Sequence, residues 1–118
     1  MGGDILKVDS ELLKGSTDML VLSLLEEKPM YGYEIIKEMD RKSEGVFSFK
    51  EGTLYPLLHK LEGEGLLKSY WDIGDENRKR KYYRITPEGE EYIKEKKKEW
   101  GVYAETVRKV LGVEFIWI

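Results

Sequence analysis

A chain of 118 residues with 36% charged and 41% hydrophobic residues bounds a single globular domain with a modest core. The formal net charge of −3 excludes a uniformly basic nucleic-acid binder, but not one with a local basic patch. With no cysteine and one histidine, the sequence calls for no disulfide, no metal and no cofactor. No stretch has the length and apolarity of a membrane span or signal peptide, so the cytoplasm is expected and no membrane partner is.

Residues 1–15 are mixed. Leu12 and Leu13 can begin a helix that Gly15 and Ser16 interrupt. Thr17 to Glu27 reads as a helix with apolar residues around nearly its whole circumference. Such a helix is covered on more than one side, which in a small chain points to a second copy. Lys28-Pro29 ends it. Tyr31 to Lys42 follows as an amphipathic helix with Gly32, Ile35, Ile36 and Met39 inward. Gly45 breaks it, and Val46 to Phe49 reads as a short extended piece.

The next stretch, Glu51 to Gly65, organises the chain. Leu54, Leu57, Leu58 and Leu61 recur at i, i+3, i+4 and i+7, which makes one apolar helix face. Gly52, Pro56, His59 and Gly63 fall on the opposite face, edged by Thr53 and Lys60 on one side and Tyr55 on the other. Small residues edged by hydrogen-bond donors suit close approach to a grooved, anionic partner. The cap falls either at Ser48, boxed with Glu51, or at Lys50. Pro56 is easiest to place if the helix begins near Gly52.

Gly65 stops this helix. Leu66 to Ile73 alternates, with Leu67, Ser69, Trp71 and Ile73 on one face. After the turn cluster Gly74 to Asn77, Arg78 to Thr86 forms a second strand, with Tyr83 and Ile85 inward and Arg80, Tyr82 and Arg84 outward. Arg78, Lys79, Arg80, Lys81 and Arg84 carry +5 within a chain of −3. Such segregation suits phosphate binding; a solvated edge strand defended by charge is the plainer alternative. Thr86-Pro87-Glu88 starts the last helix, which runs to about Leu111. Its seam places Ile93, Trp100 and Val107 seven apart beside Lys96, Tyr103 and Val110. The tail from Val113 to Ile118 is apolar and expected to pack.

The order of elements predicts an α+β winged helix-turn-helix: three helices, a β-hairpin wing and a long C-terminal dimerisation helix. Residues 12–86 form the expected DNA-binding domain, and residues 87–118 the dimerisation helix and tail. Thr53, Tyr55, Pro56, His59 and Lys60 would face a major groove about 12 Å wide. Lys50, Arg78, Lys79, Arg80, Lys81 and Tyr82 would hold phosphates or the minor groove. Trp100, with Gly101 beside it and Lys96 one turn away, fills a dimer interface or walls a ligand site there. The expected partners are double-stranded DNA, a second copy of the chain and a small aromatic effector. A homodimer places two recognition helices about 34 Å apart, on a pseudo-palindrome. No catalytic constellation is legible, so an enzyme is not expected. The alternative is a winged-helix protein-interaction module that does not bind DNA.

Four blocks carry a family resemblance: Tyr31-Gly-Tyr-Glu-Ile, Glu51-Gly-Thr-Leu-Tyr-Pro-Leu-Leu-His-Lys-Leu-Glu, Glu64-Gly-Leu, and Arg80-Lys-Tyr-Tyr-Arg-Ile-Thr-Pro-Glu-Gly. In order and spacing they resemble the PadR family of winged-helix transcriptional regulators, over roughly residues 12–110. The length matches the short subfamily with a single C-terminal helix. The resemblance implies a homodimer that represses transcription, with the C-terminal helix packed on the partner's N-terminal helix and a small molecule relieving repression. Trp100 matches, by position, a tryptophan that stacks on flat drugs in members that sense them. Lys96 departs from a purely apolar seam.

Overall fold

The computed structural model describes residues 10–74 and 76–113. Its elements run α1 (Ser10–Lys14), α2 (Thr17–Leu25), β1 (Met30–Tyr31), α3 (Gly32–Lys42), α4 (Glu51–Gly63), β2 (Leu67–Ile73), β3 (Lys79–Ile85) and α5 (Pro87–Leu111). The arrangement is the expected winged helix, with helices α2, α3 and α4 packed on one face of a small antiparallel sheet of order β1-β3-β2.

The core gathers one side of each element. Val21, Leu22, Leu24 and Leu25 of α2, Ile35 and Met39 of α3, and Leu54, Leu58 and Leu61 of α4 are buried together. Leu67 and Tyr83 close the core from the sheet, and Ile93 from α5. Burial pushes the Tyr83 hydroxyl above the usual tyrosine range, with the Glu62 carboxylate adding to the effect.

Two local expectations are corrected, and two details of α4 are fixed. Met30 and Tyr31 form a strand that pairs with Tyr83 and Tyr82, so α3 begins at Gly32. Two residues are too few for periodicity to reveal a strand; the pairing surface of β3 creates it. The segment 46–49 is not extended pairing but an irregular loop. Ser43 organises it: its hydroxyl donates to the Met39 carbonyl at 2.7 Å and accepts the Phe47 N–H at 2.9 Å. Glu44 and Gly45 adopt positive φ, and Phe49 drops into the core. Of the two caps left open, the structure takes Lys50, with no side-chain cap bond and Ser48 exposed. Finally, α4 starts at Glu51, next to the expected Gly52, and Pro56 falls in its second turn. Proline has no N–H for the Gly52 carbonyl one turn back, and Gly52 lies on the exposed face of the helix.

The hairpin register pairs Leu67 with Ile85, Ser69 with Tyr83, Trp71 with Lys81 and Ile73 with Lys79. Directly opposed residues share a face. That face looks toward α4, since the Glu62 carboxylate accepts both the backbone N–H (3.1 Å) and the hydroxyl (2.6 Å) of Ser69. Gly65, at φ 78°, makes the turn from α4 into the hairpin.

The start of α5 is locked to the same corner. Thr86 caps the helix by accepting the Gly89 N–H at 3.0 Å, and its hydroxyl donates to the Gly65 carbonyl at 2.7 Å. Gly89 lies so close to β2 that a Cβ there would overlap the Leu66 carbonyl oxygen and sit 2.7 Å from Ile85 Cγ1. Beyond Ile93 the helix leaves the core. Of the seam only Ile93 is in the core; Lys96 and Val107 are half-buried, and Trp100, Tyr103 and Val110 are exposed, as is Leu111 beyond them. Residues 114–118, most of the apolar tail, lie outside the described residues.

Candidate nucleic-acid interface

The outer face of α4 is formed as its sequence pattern requires. Gly52, Thr53, Tyr55, Pro56, His59, Lys60 and Gly63 are exposed, while the leucines turn inward. Two of these side chains have partners that sequence reasoning missed. The Tyr55 ring lies over the first residue of α3, where a Cβ on Gly32 would overlap its hydroxyl and come within 2.6 Å of Cζ. A buried glycine is what lets Tyr55 lie there. Lys60 donates to the Asp18 carboxylate of α2 at 2.6 Å, which lifts the lysine above its ordinary pKa. It points along α4 toward α2 rather than straight outward. This ion pair is largely exposed, so it is worth at most about 1 kcal/mol.

The basic hairpin divides by face. Lys79 and Lys81 share the helix-side face with Trp71, Ile73 and Tyr83. The Lys79 ammonium lies 5.8 Å from the Trp71 ring centre, and Lys81 is 5.8 Å from that of Tyr83. Arg78 is exposed at the base of the turn, and Lys50 is exposed at the N-terminus of α4. Together α4 and the hairpin wall a cleft of about 570 Å³, lined among others by Tyr55, His59, Trp71, Arg78, Lys79 and Lys81.

Arg80 and Tyr82 fall on the opposite face. Tyr82 is packed edge-on against Tyr31 (5.6 Å) and stacked on Tyr70 (5.8 Å). Desolvation, reinforced by the Glu34 carboxylate, raises its hydroxyl above the usual tyrosine range. The Arg80 guanidinium lies 4.3 Å from the Tyr31 ring centre and pairs with Glu76 at 2.7 Å. Both groups are therefore already engaged within the protomer, although Arg80 still reaches the rim of the cleft.

A second concavity of about 340 Å³ lies between α1, the start of α2 and α5, lined by Leu12, Asp18, Met19, Tyr92, Lys96 and Trp100 among others. Lys96 pairs with Glu99 at 3.1 Å, which raises its pKa, and sits 5.5 Å from the Tyr92 ring centre. Trp100 and Tyr103 lie 5.3 Å apart at its edge. Asp18 thus serves both this cavity and Lys60 of α4. Nothing in sequence spacing indicated that link, because it joins residues 42 apart.

Comparison with known proteins places this architecture. The model of the transcriptional regulator PadR-like family matches residues 21–95, spanning α2 to the first half of α5. The chain belongs to the PadR-like family. A relative from Lysinibacillus sphaericus is 38% identical over 100 residues, 85% of this chain and 92% of that protein. A transcriptional regulator of Mycobacterium tuberculosis is 31% identical, over 86% of this chain and 89% of its own length. Among solved structures, a transcriptional regulator from Clostridium thermocellum is 42% identical with a TM-score of 0.76, covering 84% of this chain and 96% of that one. A PadR-like regulator from Bacillus cereus superposes with a TM-score of 0.78 at 32% identity, covering 88% and 99%. The chain is thus a PadR-like transcriptional regulator rather than an enzyme. No helix among the described residues is long and apolar enough to cross a membrane.

Proposed function

We propose that this regulator is a repressor that binds a pseudo-palindromic operator as a homodimer and is released by a small aromatic ligand. Residues 12–86 form the DNA-binding unit, and residues 87–118 the dimerisation element. The observation that carries the DNA contact is the cleft in which the exposed face of α4 meets the lysine-bearing face of the hairpin. A recognition helix in the major groove leaves such a cleft astride one sugar–phosphate strand. Thr53, Tyr55, Pro56 and His59 face base edges, and Lys50, Arg78, Lys79 and Lys81 neutralise phosphates. Lys60 reaches DNA by leaving Asp18, an inexpensive exchange for an exposed pair. Arg80 and Tyr82 contribute chiefly by stiffening the wing against Tyr31.

The apolar surface left on α5 supports the dimer. Val110 is 80% exposed and Tyr103 56% exposed, alongside Leu12 of α1 at 71%. Apolar side chains grouped this way mark an association surface. Trp100 and Lys96 at its inner end line the concavity suited to a planar ligand.

The test is titration of a labelled duplex from the protein's own upstream region at several salt concentrations, beside an unrelated duplex. Preferential binding with a steep negative slope of log K against log salt is expected. No binding to either duplex at low salt would instead favour a protein-interaction module. Quenching by planar aromatics that disappears in Trp100→Phe tests the ligand site, since Trp71 and Trp117 also emit.

A further inference from the structure

The helix that meets the groove holds back its own cation. Lys60 is the one lysine or arginine within α4. The rest of the outer face of that helix carries no fixed charge. A free ammonium at this position would extend into solvent, toward an anionic partner. Here it lies along the helix and donates to the Asp18 carboxylate of α2 at 2.6 Å. Glu64, 4.0 Å from the same nitrogen, is too far for a hydrogen bond. Asp18 is therefore the group that sets where Lys60 points.

The bond joins a movable partner to a fixed one. The Lys60 side chain is 53% exposed on a flexible four-carbon stem, whereas the short Asp18 side chain is 24% exposed. Asp18 does not depend on Lys60 for its charge. It stands in the first turn of α2, where the helix N-terminus favours an acid. Lys96, held above its ordinary pKa chiefly by Glu99, also feels the Asp18 charge, and both residues line the concavity beside α5. Lys60 thus has two arrangements, closed on Asp18 or swung out to a ligand, and neither strands a buried charge.

We infer that Asp18 is a positioning residue for DNA recognition: it latches Lys60 along α4 and so holds operator affinity below what the same contact face gives with Lys60 free. The inference rests on the DNA-binding reading and adds to it a residue of α2 that acts through Lys60 without touching DNA. Opening the latch subtracts from binding in each protomer. An exposed pair is worth at most about 1 kcal/mol, or about fivefold, so a dimer that opens two loses at most about thirtyfold. Because the same carboxylate lines the concavity, an occupant there that contacts Asp18 alters the hold on Lys60, and DNA in turn alters the hold on that occupant.

The experiment titrates the labelled upstream duplex with the full chain and with Asp18→Asn, Asp18→Ser, Lys60→Ala and the two double variants. Salt is about 0.15 M, where the Debye length of about 8 Å damps long-range charge effects. Concentrations are those at which sedimentation velocity gives one oligomeric state for every variant. Both Asp18 variants are expected to bind the operator about three- to thirtyfold more tightly than wild type. They unfold at the same or a lower temperature, because the pair is lost and α2 loses its acid. In the Lys60→Ala background the Asp18 substitutions change affinity by less than about twofold, since no lysine remains to release. Tighter DNA binding without added stability separates a latch from a brace, whose loss would weaken both. A gain below threefold in both Asp18 variants, or weaker binding, overturns the inference. So does a gain that stays above twofold in the Lys60→Ala background, which would mean that the lost negative charge acts on DNA directly. A wild-type protein that binds neither duplex at low salt removes the DNA reading itself and this inference with it, which the wild-type titration alone reveals.

Discussion

Replacing Lys79 with alanine, and separately Arg80, tests which face of the wing lies against DNA. The two residues are adjacent in sequence, yet their environments differ. Lys79 is exposed on the helix-side face above Trp71, whereas the Arg80 side chain is 20% exposed, seated on Tyr31 and paired with Glu76. Each phosphate contact contributes about 0.9 to the slope of log K against log salt, and a dimer loses two contacts, so Lys79→Ala should flatten it by about 1.8. Over a fourfold rise in salt, the wild type then loses about twelvefold more affinity than the variant, which fluorescence anisotropy at four or five salt concentrations resolves readily. Arg80→Ala should leave the slope nearly unchanged while lowering thermal stability, since it removes a cation–π contact worth about 0.5–1 kcal/mol. The reverse pattern, a full slope loss in Arg80→Ala and none in Lys79→Ala, would refute the assignment and put the tyrosine-rich face on the DNA.

Three further outcomes follow from the packing. Gly89→Ala gains about 1 kcal/mol of helix propensity, but forces a methyl into the Leu66 carbonyl; a net destabilisation of roughly 1–3 kcal/mol is expected in urea unfolding. A more stable variant would show that α5 slides freely over β2. The Glu62 carboxyl is held below its usual range, chiefly by the Ser69 hydroxyl. Its contribution is therefore complete above the ordinary carboxylate pKa of about 4.3 and is lost as pH falls through the lowered value. Ser69→Ala should be less stable than wild type near neutrality and equal to it in strong acid; a constant gap across pH would remove Glu62 as the cause. Val110→Glu, on the exposed end of α5, should shift the protein toward monomer in sedimentation velocity and weaken operator binding with it. A dimer that persists would place the interface elsewhere.

Much of this molecule was legible in its sequence because the deciding forces were local. The four leucines of α4 recur with helical spacing, and Thr86-Pro87-Glu88 carries its own cap and start signal, so both helices stand within a residue or two of expectation. Alternation along β2 and β3 set which residues share a face, since side chains on a strand have a period of two. The basic run from Arg78 to Arg84 and the small outer face of α4 likewise pointed to an anionic partner before any coordinates did.

Tertiary structure decided what no local rule contains. β1 exists because Met30 and Tyr31 lie beside the free edge of β3, and two residues have no periodicity of their own. Tyr55 rests on α3 because Gly32 has no side chain, and Lys60 meets Asp18 across 42 residues of sequence. One run of charge became two populations, Lys79 and Lys81 facing the cleft and Arg80 engaged with Tyr31, because pleating separates neighbours that composition counts together. Sequence by itself specified which side chains each element presents on a face. Only the packing of α2, α4 and the hairpin against one another decided which of those side chains remain free to meet a partner, because that depends on distances between elements far apart in the chain.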